Sequence, residues 1–348
     1  MKNSSSSRNT LIRYESELHQ YFQELLRNDP DLEWEITGAD PKAVELTLDD
    51  RRILFKAIYE LKFGLPQIEN LNPNGNENIL LVTPEVSPRI VEAAKRQQVS
   101  VIDLNGRTWI RASGLLIDRK GLPRRSFSYE LEPRNIFVGK SARISRCLLT
   151  DLDHVWTQKE IVVRTGASSG LVSRIVKHLF NQGYLEKLSA RELRLCDAEA
   201  LLNDWAASDR LGHRASTSYF AGFIKPPQEF AQDLKDWAMT NGVPIIFTQW
   251  VAAWARHPYT EPAVCSAYVP RIPDAASLEK LGLRHVSEGG KLWLHVSDDE
   301  GIFSERRIAN DELPVVSDAQ IFLDLQQTGL RGPEAANALR EWEGFCKR

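Results

Sequence analysis

The tripeptide Glu60-Leu61-Lys62 has the E-x-K spacing of metal-dependent nuclease sites. If it ends a strand, alternation puts both side chains on one face, where the carboxylate holds Mg²⁺ and the lysine positions the attacking water or stabilises the phosphorane. Asp49, or its neighbour Asp50, stands just before the same strand and supplies a second ligand in that reading. Two features weigh against it. No Pro-Asp pair leads into the preceding strand, since Asp40-Pro41 is reversed. A Glu and a Lys emerging from a strand end are also commonly just solvated, so a motif this short is weak.

A second constellation, Gly166-Ala167-Ser168-Ser169-Gly170, fits G-x-S-x-G, the nucleophile elbow of hydrolases. Its surroundings read differently. Thr157 and Glu160 form a T-x-x-E capping box at a helix start, and that helix stops at Thr165-Gly166, where glycine takes the left-handed turn. Ser168 then caps a second helix whose apolar residues Leu171, Val172, Ile175, Val176 and Leu179 recur at helical spacing. Its other face carries Ser169, Ser173, Arg174 and Lys177, short hydroxyls and long cations suited to base edges and phosphates. Asn181-Gln182-Gly183 stops that helix, and Tyr184 to Leu188 and Glu192 to Leu195 pair as a hairpin with Arg191 near its tip. Two helices joined by a turn and followed by a hairpin look like a winged helix-turn-helix, not an elbow in a run of alternating strands and helices.

In that reading Ser169, Ser173 and Arg174 face base edges, Lys177 and Arg164 face phosphates, and Arg191 meets the minor groove or backbone beside the wing. Ser168 and Arg194 complete the candidate DNA-contacting set. Charge supports it. Between Lys140 and Leu195 there are ten Lys/Arg against five Asp/Glu, whereas the whole chain is −3. The excess of positive charge sits on the one segment that resembles a reading head, and the rest of the chain opposes non-specific binding.

Other chemistry is excluded by what is missing. There is no G-x-x-x-x-G-K-[ST], no G-x-G-x-x-G and no H-E-x-x-H, so no cofactor is expected. The four cysteines are scattered, without a C-x-x-C pair, so neither a disulfide framework nor a metal site is expected. His285 and His295 fall on two arms of an expected hairpin around Gly289-Gly290, one register apart, and read as ordinary strand residues. No apolar run reaches the ~20 residues of a membrane span, and the polar opening is unlike a signal peptide, so a cytoplasmic, nucleoid-associated protein is expected.

At 348 residues, 42% hydrophobic and 26% charged, the chain suits two or three domains, each with its own core. The expected class is α/β (α+β) and multidomain. Residues 1–118 read as α-β-β-β-(loop)-β-α-β around a mixed sheet, an order that suits a restriction-endonuclease-like fold. Residues 119–140 form a basic linker containing Arg124-Arg125 and Phe127, residues 141–206 the winged helix, and residues 217–348 a second α/β domain. Ala206 to Ser216, between the last two, reads as a polar linker.

VSPRIVEAAKRQQVSVIDLNGR (Val86 to Arg107), the central winged helix, and VVSDAQIFLDLQQTGLRGPEAANALREW (Val315 to Trp342) resemble AbiEi-like transcriptional regulators, the antitoxin side of type IV toxin–antitoxin systems. The resemblance implies a bacterial or plasmid-encoded, autoregulatory repressor with a cognate toxin as partner. Simpler members carry the winged helix at the amino terminus, whereas here an α/β domain precedes it. The expected function is therefore sequence-specific regulation of transcription, with a Mg-dependent DNA nuclease targeted by the winged helix as the alternative. Double-stranded operator DNA, most naturally an inverted repeat bound by two copies, is the expected partner. Trp250, Trp254 and Trp342 are candidates for the contact between copies, with domain core as their other reading.

Overall fold

A computed structural model describes residues 10–29, 32–36, 42–48, 51–71, 77–112, 114–121, 127–128, 136–222 and 225–347. It is mixed α/β throughout and divides into two units, Met1–Arg134 with His178–Gly183, and Asn135–Lys177 with Tyr184–Arg348. Among the described residues no helix is long and apolar enough to cross a membrane.

The first unit runs β1 (Thr10–Leu11), α1 (Glu15–Arg27), β2 (Glu33–Ile36), β3 (Ala43–Leu48), β4 (Arg51–Tyr59), α2 (Leu65–Glu69), β5 (Asn78–Thr83), α3 (Pro88–Arg96), β6 (Ser100–Asp103), β7 (Thr108–Ala112), β8 (Leu115–Arg119) and β9 (Phe127–Ser128). Strands β2 to β8 form one sheet in sequence order. Its centre, β4-β5-β6, is parallel and its two flanks are antiparallel. The parallel strand β5 is buried along nearly its whole length because both faces of the sheet are covered there. On one face α1 presents Leu18, Phe22 and Leu26, spaced one turn apart, to Val44, Leu46, Phe55 and Leu80. On the other, Ile68 of α2 and Ile90, Val91 and Ala94 of α3 meet Ile79, Leu81 and Val101.

The turn after β6 has its own logic. The Asp103 carboxylate accepts from the backbone N–H groups of Asn105 at 2.8 Å, Arg107 at 2.9 Å and Val86 at 3.0 Å. Asn105 donates to the carbonyls of Pro84 and Phe127 and accepts from the Phe127 N–H, each at 3.0 Å. Gly106 supplies the left-handed residue, with φ of 82°. This Asp-Leu-Asn-Gly-Arg segment is a structural clasp. Burial pushes the Asp103 carboxyl up to about 6, against the opposite pull of its three N–H donors.

One expectation changes here. The basic connector is not a plain linker: Phe127 lies in β9, which pairs in parallel with β1, and Arg119 at the end of β8 binds Asp29 at 2.7 Å. Arg124 and Arg125 lie outside the described residues.

The second unit opens with α4 (Gly139–Leu148), β10 (Trp156–Thr157), α5 (Gln158–Thr165), α6 (Ser169–Asn181, whose residues from His178 on fall in the first unit), β11 (Leu185–Lys187) and β12 (Glu192–Leu195). The three strands form a small antiparallel sheet in the order β10-β12-β11. The chain continues through α7 (Ala198–Ser208), α8 (Leu211–Arg214), β13 (Ala215–Ala221), α9 (Pro227–Thr240), β14 (Ile246–Thr248), α10 (Gln249–Arg256), β15 (Cys265–Tyr268), α11 (Ala275–Lys280), β16 (Arg284–Val286), β17 (Leu292–Ser297), α12 (Gly301–Ser304), β18 (Arg307–Ile308), β19 (Pro314–Val315), α13 (Asp318–Leu325) and α14 (Gly332–Glu341). Seven of these strands form a mixed sheet in the order β16-β13-β17-β15-β14-β19-β18.

That order overturns the hairpin expected around Gly289-Gly290. β13 lies between β16 and β17 and pairs with both, so His285 sits opposite Phe220 and His295 opposite Thr217. Gly290 serves a close approach instead: a Cβ there would lie 2.4 Å from the Phe220 carbonyl oxygen. Nor is Ala206 to Ser216 a linker. α7 extends to Ser208, and Asp209 and Arg214 are drawn into the core as partners. Arg214 binds Asp209 through Nε at 2.8 Å and Asp324 through Nη2 at 2.6 Å, and Asp324 also accepts from Tyr268 at 3.0 Å and Gln320 at 2.8 Å. Those carboxylates hold the Arg214 guanidinium well above its ordinary pKa although burial alone would lower it.

Candidate functional site

The segment from β10 to β12 builds a surface from local rules. The Thr157 hydroxyl accepts from the Glu160 N–H at 3.2 Å and starts α5, while the Glu160 carboxylate meets His154 Nε2 at 2.8 Å. Gly166 ends α5 with φ of 64°, its N–H donating to the Val162 carbonyl. A helix therefore precedes the Gly166 turn where a nucleophile elbow needs a strand. The Ser168 hydroxyl accepts from the Leu171 N–H at 3.3 Å, so it caps α6.

Helix α6 is two-faced. Val172, Ile175, Val176 and Leu179 are buried, and Ser169, Ser173, Arg174 and Lys177 are exposed. None of these four side chains engages a partner among the described residues, which leaves two hydroxyls and two cations displayed on one face. The β11–β12 hairpin carries Arg191 exposed at its tip, with its N–H donating to Ser189 Oγ at 3.3 Å.

Other expected contacts are already committed. Arg164 faces inward: it binds Glu305 through Nε at 2.9 Å and Nη2 at 2.7 Å and lies 5.3 Å from the Trp156 ring centroid. It fastens α5 to the chain just beyond α12 and is not free for a phosphate. Arg194 bridges to Glu186 across the hairpin at 2.5 Å. Arg143 and Arg146 of α4 both donate to Asp299, at 2.8 and 3.1 Å. Arg143, Arg146, Arg164 and Arg194 are thus neutralised by acids, while Arg174 and Lys177 on α6 and Arg191 at the hairpin tip stay exposed. Periodicity gave no sign of the pairs with Asp299 and Glu305, because those acids lie far away in sequence.

β4 ends at Tyr59, one residue before Glu60, so Glu60 and Lys62 follow the strand and its alternation does not by itself place them on one face. Asp49 lies outside the described residues, and among those described no group of three His, Cys, Asp or Glu could hold a metal ion. The remaining site expectations concern tryptophans. Trp250 is buried, while Trp342 is half-buried, stacks on His257 at 5.5 Å and lies 5.0 Å from the Arg256 guanidinium. Trp254 is half-buried.

Comparison with protein-family models, with curated proteins and with solved structures found no match to the chain.

Proposed function

We propose that the segment from α4 to β12 is a winged helix that reads double-stranded DNA, and that the protein is a sequence-specific regulator of transcription. The observation that carries this reading is the exposed face of α6, where Ser169, Ser173, Arg174 and Lys177 stand together without side-chain partners among the described residues. Hydroxyls and an arginine on the amino-terminal turns of a helix are the groups that meet base edges, and a following lysine is placed for phosphate. The exposed Arg191 at the hairpin tip suits the backbone or minor groove beside such a helix. The resemblance to AbiEi-like regulators points to repression of the protein's own operon, with a toxin as its cognate partner.

The test is selection of bound duplexes from a random pool, followed by titration of the enriched site. Enrichment of one motif, bound at least about 10³-fold tighter than scrambled DNA, is expected of a specific reader. Recovery of no motif, with equal affinity for all duplexes, would remove the reading.

A further inference from the structure

A cavity of about 90 Å³ lies within the second unit, where the start of α4 meets α8 and the turn after β17. It has room for about three waters, or one small anion. Three features of its wall point to the same chemistry. First, it takes in Val138, Gly139 and Ala142, the amino-terminal turn of α4, and the N-cap residue Val138 offers no side-chain acceptor. The opening N–H groups and the positive end of the helix dipole are therefore directed to this region without a cap.

Second, Arg146 lines the cavity one turn further along α4 and is only 2% exposed. Its Nε donates to Gln320 at 3.2 Å and its Nη1 to Asp299 at 3.1 Å. Its Nη2 makes no hydrogen bond to the described residues, and the guanidinium lies 5.8 Å from the centroid of the Trp205 ring, whose buried Nε1, also in the cavity wall, has no acceptor among the described residues. Third, the acids in the wall are already satisfied. Asp209 accepts from Arg214 on both oxygens, at 2.8 and 2.9 Å, and from Gln327 at 3.0 Å. Asp299 accepts from Arg143 at 2.8 Å, from Arg146, and from the Gly301 N–H at 3.0 Å. What remains is donors: Arg146 Nη2 inside, and at the rim the exposed His213 and the exposed Arg210, whose Nη1 alone is spent, on the carbonyls of Ala207 and Asp209.

We propose that this cavity binds a small oxyanion, a short-chain monocarboxylate or inorganic phosphate. An oxyanion supplies the acceptors that Arg146 and the first turn of α4 lack, and it leaves the saturated carboxylates undisturbed. Bound there, it joins α4 to α8 and to the turn after β17, which makes it an effector of the segment that α4 begins.

The experiment uses the full chain without DNA, so its result is independent of the regulator reading. Thermal melts and calorimetric titrations with sodium acetate, sodium propionate and sodium phosphate are compared with chloride at matched ionic strength. A saturable rise in Tm with at least one of these anions is expected. A carboxylate-only response identifies a planar site and a phosphate-only response a tetrahedral one. The R210A/H213A double variant changes exposed residues at the rim and, with each melt referred to the variant's own Tm in chloride, is expected to bind at least about tenfold more weakly, the loss of charged hydrogen bonds. R146K, which removes the unpartnered nitrogen, is expected to lose the response, and R191A to keep it. No saturable response to any of the three anions, or unchanged affinity in the double variant, overturns the proposal.

Discussion

At the scale of single residues, the two arginines with the most similar sequence surroundings have opposite fates. Arg174 is exposed on α6 without a partner among the described residues, whereas Arg164 is held by Glu305. If α6 reads bases, Arg174→Ala weakens binding to the selected duplex by ~1–3 kcal/mol and relaxes preference at one position. Lys177→Ala instead lowers affinity for all duplexes and reduces the slope of log K against log salt by about one. Unchanged titrations for both variants would defeat the assignment. His295 makes a separate prediction. It is fully buried with Nδ1 2.8 Å from Thr217 Oγ1, and burial pushes its pKa down to about 4, with Arg214 adding to and Asp324 opposing the shift. A base with a depressed folded pKa favours the fold where it is neutral in both states, and that stability is lost as pH falls from about 6.5 toward 4. The full loss is about 3 kcal/mol. Melting between pH 7 and pH 4.5 should show the second unit losing stability, and His295→Gln should flatten that part of the profile. An identical pH profile in the variant would show that His295 is not responsible.

At the scale of elements, α5 is held as much by distant acids as by its own packing. Glu305 is 7% exposed and takes both Arg164 nitrogens. Glu305→Gln leaves a partly buried guanidinium without its charge partner, so a loss of about 3 kcal/mol is expected in equilibrium denaturation. Faster hydrogen exchange across Gln158–Thr165 should accompany it, and a variant as stable as the parent would show that the pair contributes nothing. Much of this organisation is legible in the sequence where local rules act alone. α9 spans Pro227–Thr240, as its amphipathic pattern indicates, and β5 spans Asn78–Thr83, as its apolar run does. Thr157, Ser168, Asp197, Asp274 and Ser317 each cap a helix from the position their type suggests. The failures share one cause. Gly289-Gly290 signals a turn but not the partners of its flanking strands, because β13, about seventy residues earlier, inserts between them through long-range pairing. Asp209 and Arg214 look like solvated linker residues until Asp324 is brought to them. α2 and β8 escaped notice because a five-residue helix and a five-residue strand carry too few periods to stand out.

At the scale of the whole molecule, the question is how many copies a binding site holds. The proposed reading surface is one helix face and one hairpin tip, so a single copy contacts few base pairs. Each good base contact is worth only ~1–3 kcal/mol, and specific binding at ~10⁻⁸ M or tighter requires more than one head supplies. Acids elsewhere in the chain, which is −3 overall, remove the option of compensating with non-specific attraction. Two copies related by a two-fold axis on an inverted repeat meet the requirement, because one duplex then collects both sets of contacts. Of the tryptophans first considered for the contact between copies, Trp250 is buried, whereas Trp254 and Trp342 are half-buried. Cooperation between the copies comes from protein surface or from the DNA itself, and the half-site spacing of the selected motif would report which. Light scattering of the protein on its selected duplex should give a mass increment of two 39.5 kDa chains. A 1:1 complex that persists at saturating protein, on a duplex containing the full selected motif, would exclude the paired arrangement and require the affinity to arise from one head alone.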